Sequence, residues 1–175
     1  MNSAQLDRLA NKDVLLSRLW GGVLAADEVP DQLESGRIFV INDQPRHIHL
    51  GHWRLVYTFD PYTAWFCSYG IPPKNLEIIQ TLHKLNKPLL YNKQQLQQFN
   101  TTTCAMHTLF VGMMLARDLE LEEIIERFYS QTDLLQNDLM VQEYLRVVLD
   151  MKSVPPLFDT EFLTHHQHGT THEQL

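Results

Sequence analysis

The sequence predicts an α+β domain, and three observations indicate this fold class. β-rich segments such as 37–43 and 52–59 are interspersed with segments of helical periodicity. The segment 104–119 is apolar nearly all round, as expected for a helix buried in a core. The chain has 175 residues, 44% of them hydrophobic, and neither a repeat nor an internal linker interrupts it. One domain with a sizeable core is therefore expected.

The N-terminal part is predicted to form one or two short helices, an extended piece and a strand. Apolar residues recur at spacings near 3.6 within 3–20, with Ser3 as the expected N-cap. Two glycines end this pattern, and a short extended piece closes at Pro30. The segment "RIFVIND", residues 37–43, predicts a strand that ends in a polar turn.

A hairpin is predicted next. Residues 52–59, "HWRLVYTF", alternate and are β-rich, "DPYT" is a turn, and "AWFCSYG", residues 64–70, is the expected returning strand. A helix within 71–86 and a short strand within 87–93 follow.

Three helices are expected in the C-terminal half: the buried segment 104–119 and two amphipathic segments at 121–129 and 137–151. We place one domain at 1–156. The polar, His-rich stretch 157–175 has no apolar period, and we expect it to be a disordered tail.

Composition narrows the class of protein. The net charge of −7 argues against a broad nucleic-acid footprint, which needs clustered Lys and Arg. Two cysteines make no disulfide framework and show no zinc spacing, so a reducing compartment is expected. The segment 1–13 lacks the apolar region of a secretory signal, and no run approaches the length of a membrane span. These features predict a protein of the cytosol or nucleus that is not secreted.

Cys104 follows the polar segment "NTTT" and precedes the apolar run, so it should lie in the first turn of a buried helix. Helix amides there favour the thiolate and lower its pKa. A thiolate nucleophile also needs a base and an oxyanion hole. His52, at the head of a predicted strand beside Trp53, could supply the base. Gln95 or Gln97 could supply an amide donor, although each feature alone is also typical of ordinary surface and core residues.

The order of these residues resembles the adenovirus-type cysteine endopeptidases (the adenain family), and most closely the proteases of Maverick/Polinton-type elements and related viruses. The resemblance covers about residues 3–150. The stretches that carry it are "VLAADEVP", "IFVINDQP…GHW", "FCSYGIPP", "YNKQQLQQFNTTTC" and "QNDLMV".

The resemblance implies that Cys104 is the nucleophile, His52 the general base and Gln97 the oxyanion donor, with Gln98 as the alternative one position away. It also implies a mixed central β-sheet packed by helices, of the adenain and ubiquitin-like-protease type, with the nucleophile at the N-terminus of the central helix. The expected activity is processing of capsid or other viral precursor proteins, in the host nucleus or cytoplasm or in the virion. No cofactor or metal is implied, and we expect a monomer. Adenoviral members respond to a peptide and to DNA, but neither activator is expected here.

Two positions depart from the family pattern. Cys67 occupies the position of the catalytic acid, whose carboxylate would orient the imidazole. Ala105 replaces a glycine, and its methyl group could crowd the substrate. His107, three residues after Cys104, should share its helix face and could perturb the thiol or, less expectedly, act as a substitute base. Asp60 in the hairpin turn is the candidate substitute acid, and Asp43 and Asp27 are expected to have structural or substrate-side roles.

Two other hypotheses stay open at this point. A chain that lacks the acid could be a catalytically impaired homologue that binds a capsid precursor. A metal-binding role could use "HIHLGH" at 47–52 and "HHQHGTTH" at 165–172.

Overall fold

The computed structural model describes residues 1–48, 51–128 and 133–151, and they form an α+β domain. Five strands make one mixed sheet, and six α-helices and one 3₁₀ turn are arranged around it within these residues. The predicted α+β class is therefore confirmed. The expected disordered tail at 157–175 lies outside the described residues.

The strands and helices lie close to the segments that the sequence pattern predicts. The strands are β1 (Trp20–Leu24), β2 (Arg37–Asn42), β3 (Trp53–Thr58), β4 (Thr63–Phe66) and β5 (Leu89–Tyr91). The helices are α1 (Ser3–Ala10), α2 (Val14–Leu19), α3 (Leu76–Lys84), α4 (Cys104–Leu115), α5 (Leu121–Glu126) and α6 (Leu134–Val148), and the 3₁₀ turn spans Ala26–Glu28.

The sheet follows chain order, β1-β2-β3-β4-β5. β1 and β2 are parallel, β2–β3 and β3–β4 are antiparallel, and β4 and β5 are parallel. The hairpin of β3 and β4 therefore occupies the middle of the sheet, and the residues that precede β3 and follow β4 meet at the same end.

Each face of the sheet covers a separate core, because side chains of a strand alternate between the two faces. In β2, Ile38 and Val40 belong to the core built with α1, α2, α4, α5 and α6, whereas Phe39 and Ile41 belong to the core beneath α3. α4 lies against β3 and α6, and its residues 105–115 are all buried. This burial explains why the sequence of α4 is apolar on every side.

Two of the boundaries that differ from the predicted ones have a cause in the side-chain hydrogen bonds. Asn2, rather than Ser3, is the N-cap of α1, because its Oδ1 accepts a hydrogen bond from the Gln5 amide while Oε1 of Gln5 accepts one from the Asn2 amide. The returning strand stops at Phe66 instead of continuing to residue 70. At Cys67 the backbone leaves the strand ladder and pairs with the side chain of Asn92, which accepts from the Cys67 N–H at 3.0 Å and donates to its carbonyl at 2.7 Å.

Candidate active site

Cys104 is the first residue of the central buried helix, as the sequence pattern predicts. It is partly exposed, whereas the eleven residues that follow it in α4 are buried. The helix thus carries a sulfur atom at its N-terminus, at the boundary between the core and solvent.

The electrostatic expectation for Cys104 is wrong. Burial raises the pKa of the thiol above its usual value, and the N–H groups of Trp53 and Ala105, which favour the thiolate, only partly offset this effect. Thr103 is the N-cap residue, but its hydroxyl donates to Asp138 at 2.6 Å and gives α4 no side-chain cap.

His52 lies immediately before β3, and a carboxylate fixes its backbone. The His52 N–H donates to Oδ1 of Asp43 at 2.7 Å, and Oδ2 of Asp43 pairs with Arg54 at 2.6 Å. Asp43 therefore has the structural role expected of it. Burial, followed by the positive charge of Arg54, lowers the pKa of His52 to about 4, so the imidazole is neutral near pH 7.

Three consecutive residues of one turn contact the imidazole of His52. Sγ of Cys67 lies 3.4 Å and Oγ of Ser68 3.5 Å from Nε2, and the ring of Tyr69 stacks on the imidazole at 4.6 Å between centroids. The Gly70 N–H closes the turn by donating to the Cys67 carbonyl at 2.8 Å. Gly70 has φ +68, and a Cβ there would lie 2.7 Å from the Gln94 backbone, so this turn requires glycine.

Cys67 therefore stands beside the second nitrogen of His52, where the resemblance places the acid. Its side chain is completely buried. The candidate substitute acid is elsewhere: the carboxylate of Asp60 is 86% exposed and pairs with Lys87 at 3.0 Å. Asp60 is consequently not available to orient His52.

Gln97 is the glutamine that reaches the site. Its fully buried side chain accepts from Oγ of Ser68 at 2.6 Å and donates through Nε2 to the Thr101 carbonyl at 2.8 Å. The side chain of Gln95 donates to the Gln97 carbonyl at 2.9 Å, and the Gln98 N–H donates to Asp138 at 3.1 Å. These two neighbours hold the segment that presents Gln97.

One cavity of about 590 Å³ brings the three expected residues together. His52, Gln97 and Cys104 all line it, together with Trp53 and Tyr69. Nε2 of His52 contacts Cys67 and Ser68 rather than Cys104. Catalytic contacts in unliganded enzymes often tighten only when substrate binds. The arrangement provides a thiol, a neutral imidazole and an amide donor around one space.

His107 does not face this cavity, contrary to expectation. Its Nε2 lies 2.7 Å from Oδ1 of Asp138, both side chains are completely buried, and its ring stacks on Phe128. The i, i+3 spacing relates His107 only to residues of its own helix, whereas the partner of His107, Asp138, lies on α6. His107 is thus neither a substitute base nor a direct neighbour of the thiol in the cavity.

Ala105, the second departure, is 1% exposed and belongs to the core between the sheet and the helices. It is not among the residues that line the cavity. Its methyl group therefore fills the core and does not obstruct the space next to Cys104.

Sequence reasoning missed Ser68, Thr101 and Asp138, although all three are buried around the site. Asp138 accepts hydrogen bonds from Thr101 at 2.9 Å and Thr103 at 2.6 Å. The available signal was "QNDLMV", in which an Asn-Asp pair interrupts an otherwise amphipathic helix at positions that face the core.

The metal-binding hypothesis finds no support in the described part of the chain. No group of three His, Cys, Asp or Glu side chains within residues 1–48, 51–128 and 133–151 could hold a metal ion. His49 of "HIHLGH" and the cluster at 165–172 lie outside the described residues. No helix in the described ranges is long and apolar enough to cross a membrane.

Comparison of the sequence with protein-family models and with curated proteins finds no match. Function is therefore inferred from the arrangement of Cys104, His52 and Gln97 around one cavity.

Proposed function

We propose that this protein is a cysteine endopeptidase of the adenain type, with a His52–Cys104 dyad and Gln97 as an oxyanion donor. The observation that carries the proposal is the single cavity lined by all three residues, with Cys104 at the start of a buried helix. By the resemblance described above, its natural substrates would be capsid or other precursor proteins of a virus or transposon.

His52 acts as a general base in this mechanism, and no preformed ion pair is required. Its pKa of about 4 leaves the imidazole neutral near pH 7, and the raised pKa of Cys104 leaves the sulfur protonated. Nε2 faces Cys67 and Ser68, so Nδ1 is the nitrogen that takes the thiol proton. The thiolate attacks the peptide carbonyl, and the imidazolium then protonates the departing amine. Water, activated by the same nitrogen, hydrolyses the thioester and regenerates the thiol.

Two donors can stabilise the oxyanion of the tetrahedral intermediates. The first backbone bonds of α4 run from the N–H groups of Met106 and His107 to the Thr103 carbonyl, so the Cys104 amide precedes them and is a suitable donor. Nε2 of Gln97 carries two hydrogens, and its short bond to the Thr101 carbonyl uses one of them. The amide group is planar, so the direction of the second hydrogen is set by these bonds; its nearest acceptor is the Thr101 hydroxyl at 3.3 Å, a long contact that an oxyanion on that side could replace.

Peptide cleavage by the purified protein tests this proposal. The wild-type chain is incubated with a degenerate peptide library, and new termini are identified by mass spectrometry. Cleavage is expected from the wild type and is expected to be absent in Cys104→Ala. Cys67→Ala is the matched control, because it removes the other cysteine and should keep activity. Equal cleavage by wild type and Cys104→Ala would overturn the proposal.

Labelling with iodoacetamide provides an independent readout of the dyad. If His52 is the base, Cys104 should be alkylated at least about tenfold faster at pH 7 in the wild type than in His52→Gln. Absence of cleavage together with equal labelling rates would exclude an active dyad.

A second candidate function is favoured by the surroundings of His52 and Cys104. Cys67 offers His52 no negative charge, and the sulfur of Cys104 lies in a site whose burial disfavours the thiolate. A protein that binds precursor peptides in the same cavity without cleaving them would have these properties. Peptides that protect Cys104 from iodoacetamide but remain intact would support this binding function over the protease.

A further inference from the structure

Hydrogen bonds link Thr101, Gln97, Ser68 and His52 in a chain. Along this chain, the direction of each bond determines which group donates in the next. The Thr101 carbonyl can only accept, so the Gln97 atom 2.8 Å away must be the amide nitrogen Nε2. Oε1 of Gln97 then faces Oγ of Ser68 at 2.6 Å. An amide oxygen also can only accept, so the hydroxyl hydrogen of Ser68 is directed at Gln97.

This assignment determines what Ser68 can offer His52. With its hydrogen committed to Gln97, Oγ of Ser68 presents only lone pairs to Nε2, which lies 3.5 Å away. The contact can therefore be a hydrogen bond, though a long one, only when Nε2 carries the hydrogen. We propose that Ser68 is a positioning residue that keeps neutral His52 protonated on Nε2, the role that a carboxylate would have at position 67. This inference rests on the proposed function, for which Nδ1 must be free to take the thiol proton.

Cys67 also contacts Nε2 of His52, and it favours the other tautomer. Its sulfur is a weak acceptor, so a hydrogen on Nε2 gains more from the oxygen of Ser68. The S–H of Cys67 could instead donate to Nε2 at 3.4 Å, but only in the tautomer that carries its hydrogen on Nδ1. That tautomer cannot accept the thiol proton of Cys104 through Nδ1. Ser68 therefore favours the tautomer that can act as the base, and Cys67 favours the one that cannot.

Buried hydrogen bonds fix the position of Ser68 and of the segment that it contacts. The Ser68 carbonyl accepts from the N–H groups of Leu96 and Gln97 at 2.8 and 3.1 Å. Asp138 anchors the other end of the segment, since its Oδ2 accepts from the Thr101 hydroxyl at 2.9 Å. Ser68, Gln97 and Asp138 are all 0% exposed, so water does not compete for these bonds. The chain is therefore organised before substrate arrives.

Nitrogen NMR of the ligand-free protein tests the tautomer directly. The protein is labelled with ¹⁵N-histidine and examined at pH 7, and the His52 signals are assigned by their loss in His52→Gln. Wild-type His52 should carry its hydrogen on Nε2. In Ser68→Ala, the population with the hydrogen on Nδ1 should rise by about tenfold, the ratio expected for the loss of one hydrogen bond.

Two controls separate this role from general packing. Thr108→Val removes another buried hydroxyl, one that donates to the Ala105 carbonyl at 2.8 Å and takes no part in the chain, and it should leave the tautomer unchanged. Cys67→Ala should also keep the hydrogen on Nε2, and it tests the assignment even if Ser68→Ala does not fold. A wild-type hydrogen on Nδ1, a shift to Nδ1 in Cys67→Ala, or a folded Ser68→Ala with unchanged tautomers would each overturn the inference.

The tautomer is measured without substrate, so the result of this measurement is independent of the test of the protease proposal. A protein that cleaves no peptide and whose Cys104 is labelled no faster than in His52→Gln would refute the protease, while a hydrogen on Nε2 that moves to Nδ1 in Ser68→Ala would leave the assignment of Ser68 standing. If peptides are cleaved, Ser68→Ala should slow iodoacetamide labelling of Cys104 by about tenfold as well.

Discussion

Sγ of Cys67 lies 3.4 Å from Nε2 of His52, in a completely buried position. The contact gives the imidazole a neutral neighbour where a negative charge would stabilise its protonated form. In the proposed mechanism, this neighbour limits how far His52 can assist Cys104.

Replacing Cys67 with aspartate should therefore raise activity. A carboxylate beside Nε2 would raise the pKa of His52 from about 4 and stabilise the imidazolium formed when the thiol loses its proton. We expect about 10- to 100-fold faster peptide cleavage. This is less than the roughly 10⁴-fold effect of the acid in serine proteases, because a thiol needs less activation. Initial rates on one cleaved peptide would measure the gain.

Cys67→Asn is the matched control, because it has a similar size and no charge, and it should give little gain. Circular dichroism must first show that both variants fold, since the position is fully buried. Equal rates for a folded Cys67→Asp variant and the wild type would contradict the assignment of position 67 to the acid.

The alkylation rate of Cys104 should change little with pH between about 5 and 8. His52 is neutral above about pH 4, and burial raises the pKa of the thiol, so the neutral imidazole and the protonated thiol that general-base catalysis uses coexist across this range. The measurement is the rate of iodoacetamide labelling from pH 5 to 10, followed by mass spectrometry of the Cys104 peptide, with His52→Gln as the reference whose rate should rise steadily with pH. A wild-type rate that rises as steeply as that of His52→Gln over the whole range would contradict assistance by His52.

His52 should make the folded protein less stable in mild acid. Its pKa is about 4 when folded and near the ordinary 6.5 when unfolded, so the unfolded chain takes up a proton in this range that the folded one does not. The contribution is complete above pH 6.5 and is lost as the pH falls toward 4, by up to about 3 kcal/mol. Urea unfolding at pH 7 and 4.5 measures it.

Acid changes the stability of a folded protein through many groups, so His52→Asn is the necessary reference. The variant should lose less stability than the wild type between pH 7 and 4.5. An equal loss in both proteins would contradict the low pKa of His52.

The buried pair of Asp138 and His107 should be a major contributor to stability. Asp138→Ala would leave the buried donors of Thr103 and His107, at 2.6 and 2.7 Å from Oδ1 in the wild type, without their acceptor. We expect the free energy of unfolding to fall by about 3–5 kcal/mol. Denaturant unfolding at pH 7 would measure the change.

Glu143→Ala provides a control on the same helix. Glu143 pairs with Arg146 at 2.6 Å, but both side chains are largely exposed, so the loss of this pair should leave the stability nearly unchanged. If Asp138→Ala were as mild as Glu143→Ala, the buried network would not have the anchoring role assigned to it.

Much of this protein could be predicted from local sequence pattern. β-rich composition predicted the strand at 37–43, alternation predicted the one at 52–59, and the uniformly apolar segment after Cys104 predicted the central helix; the structure places these elements at 37–42, 53–58 and 104–115. The same reasoning placed Cys104 at the helix start. It could not say that Thr103 turns its hydroxyl away to Asp138, because that partner is 35 residues distant.

The sequence by itself determined the α+β class, the order of the elements and the candidates Cys104, His52 and Gln97. Only the tertiary structure decided how the environment modifies them. Burial raises the pKa of Cys104, whereas the sequence predicts a lowered one. Asp138 of α6 pairs with His107, which therefore does not face the cavity. The turn after β4 set Ser68 beside His52. These outcomes depend on desolvation and on partners remote in the chain, which local spacing does not encode.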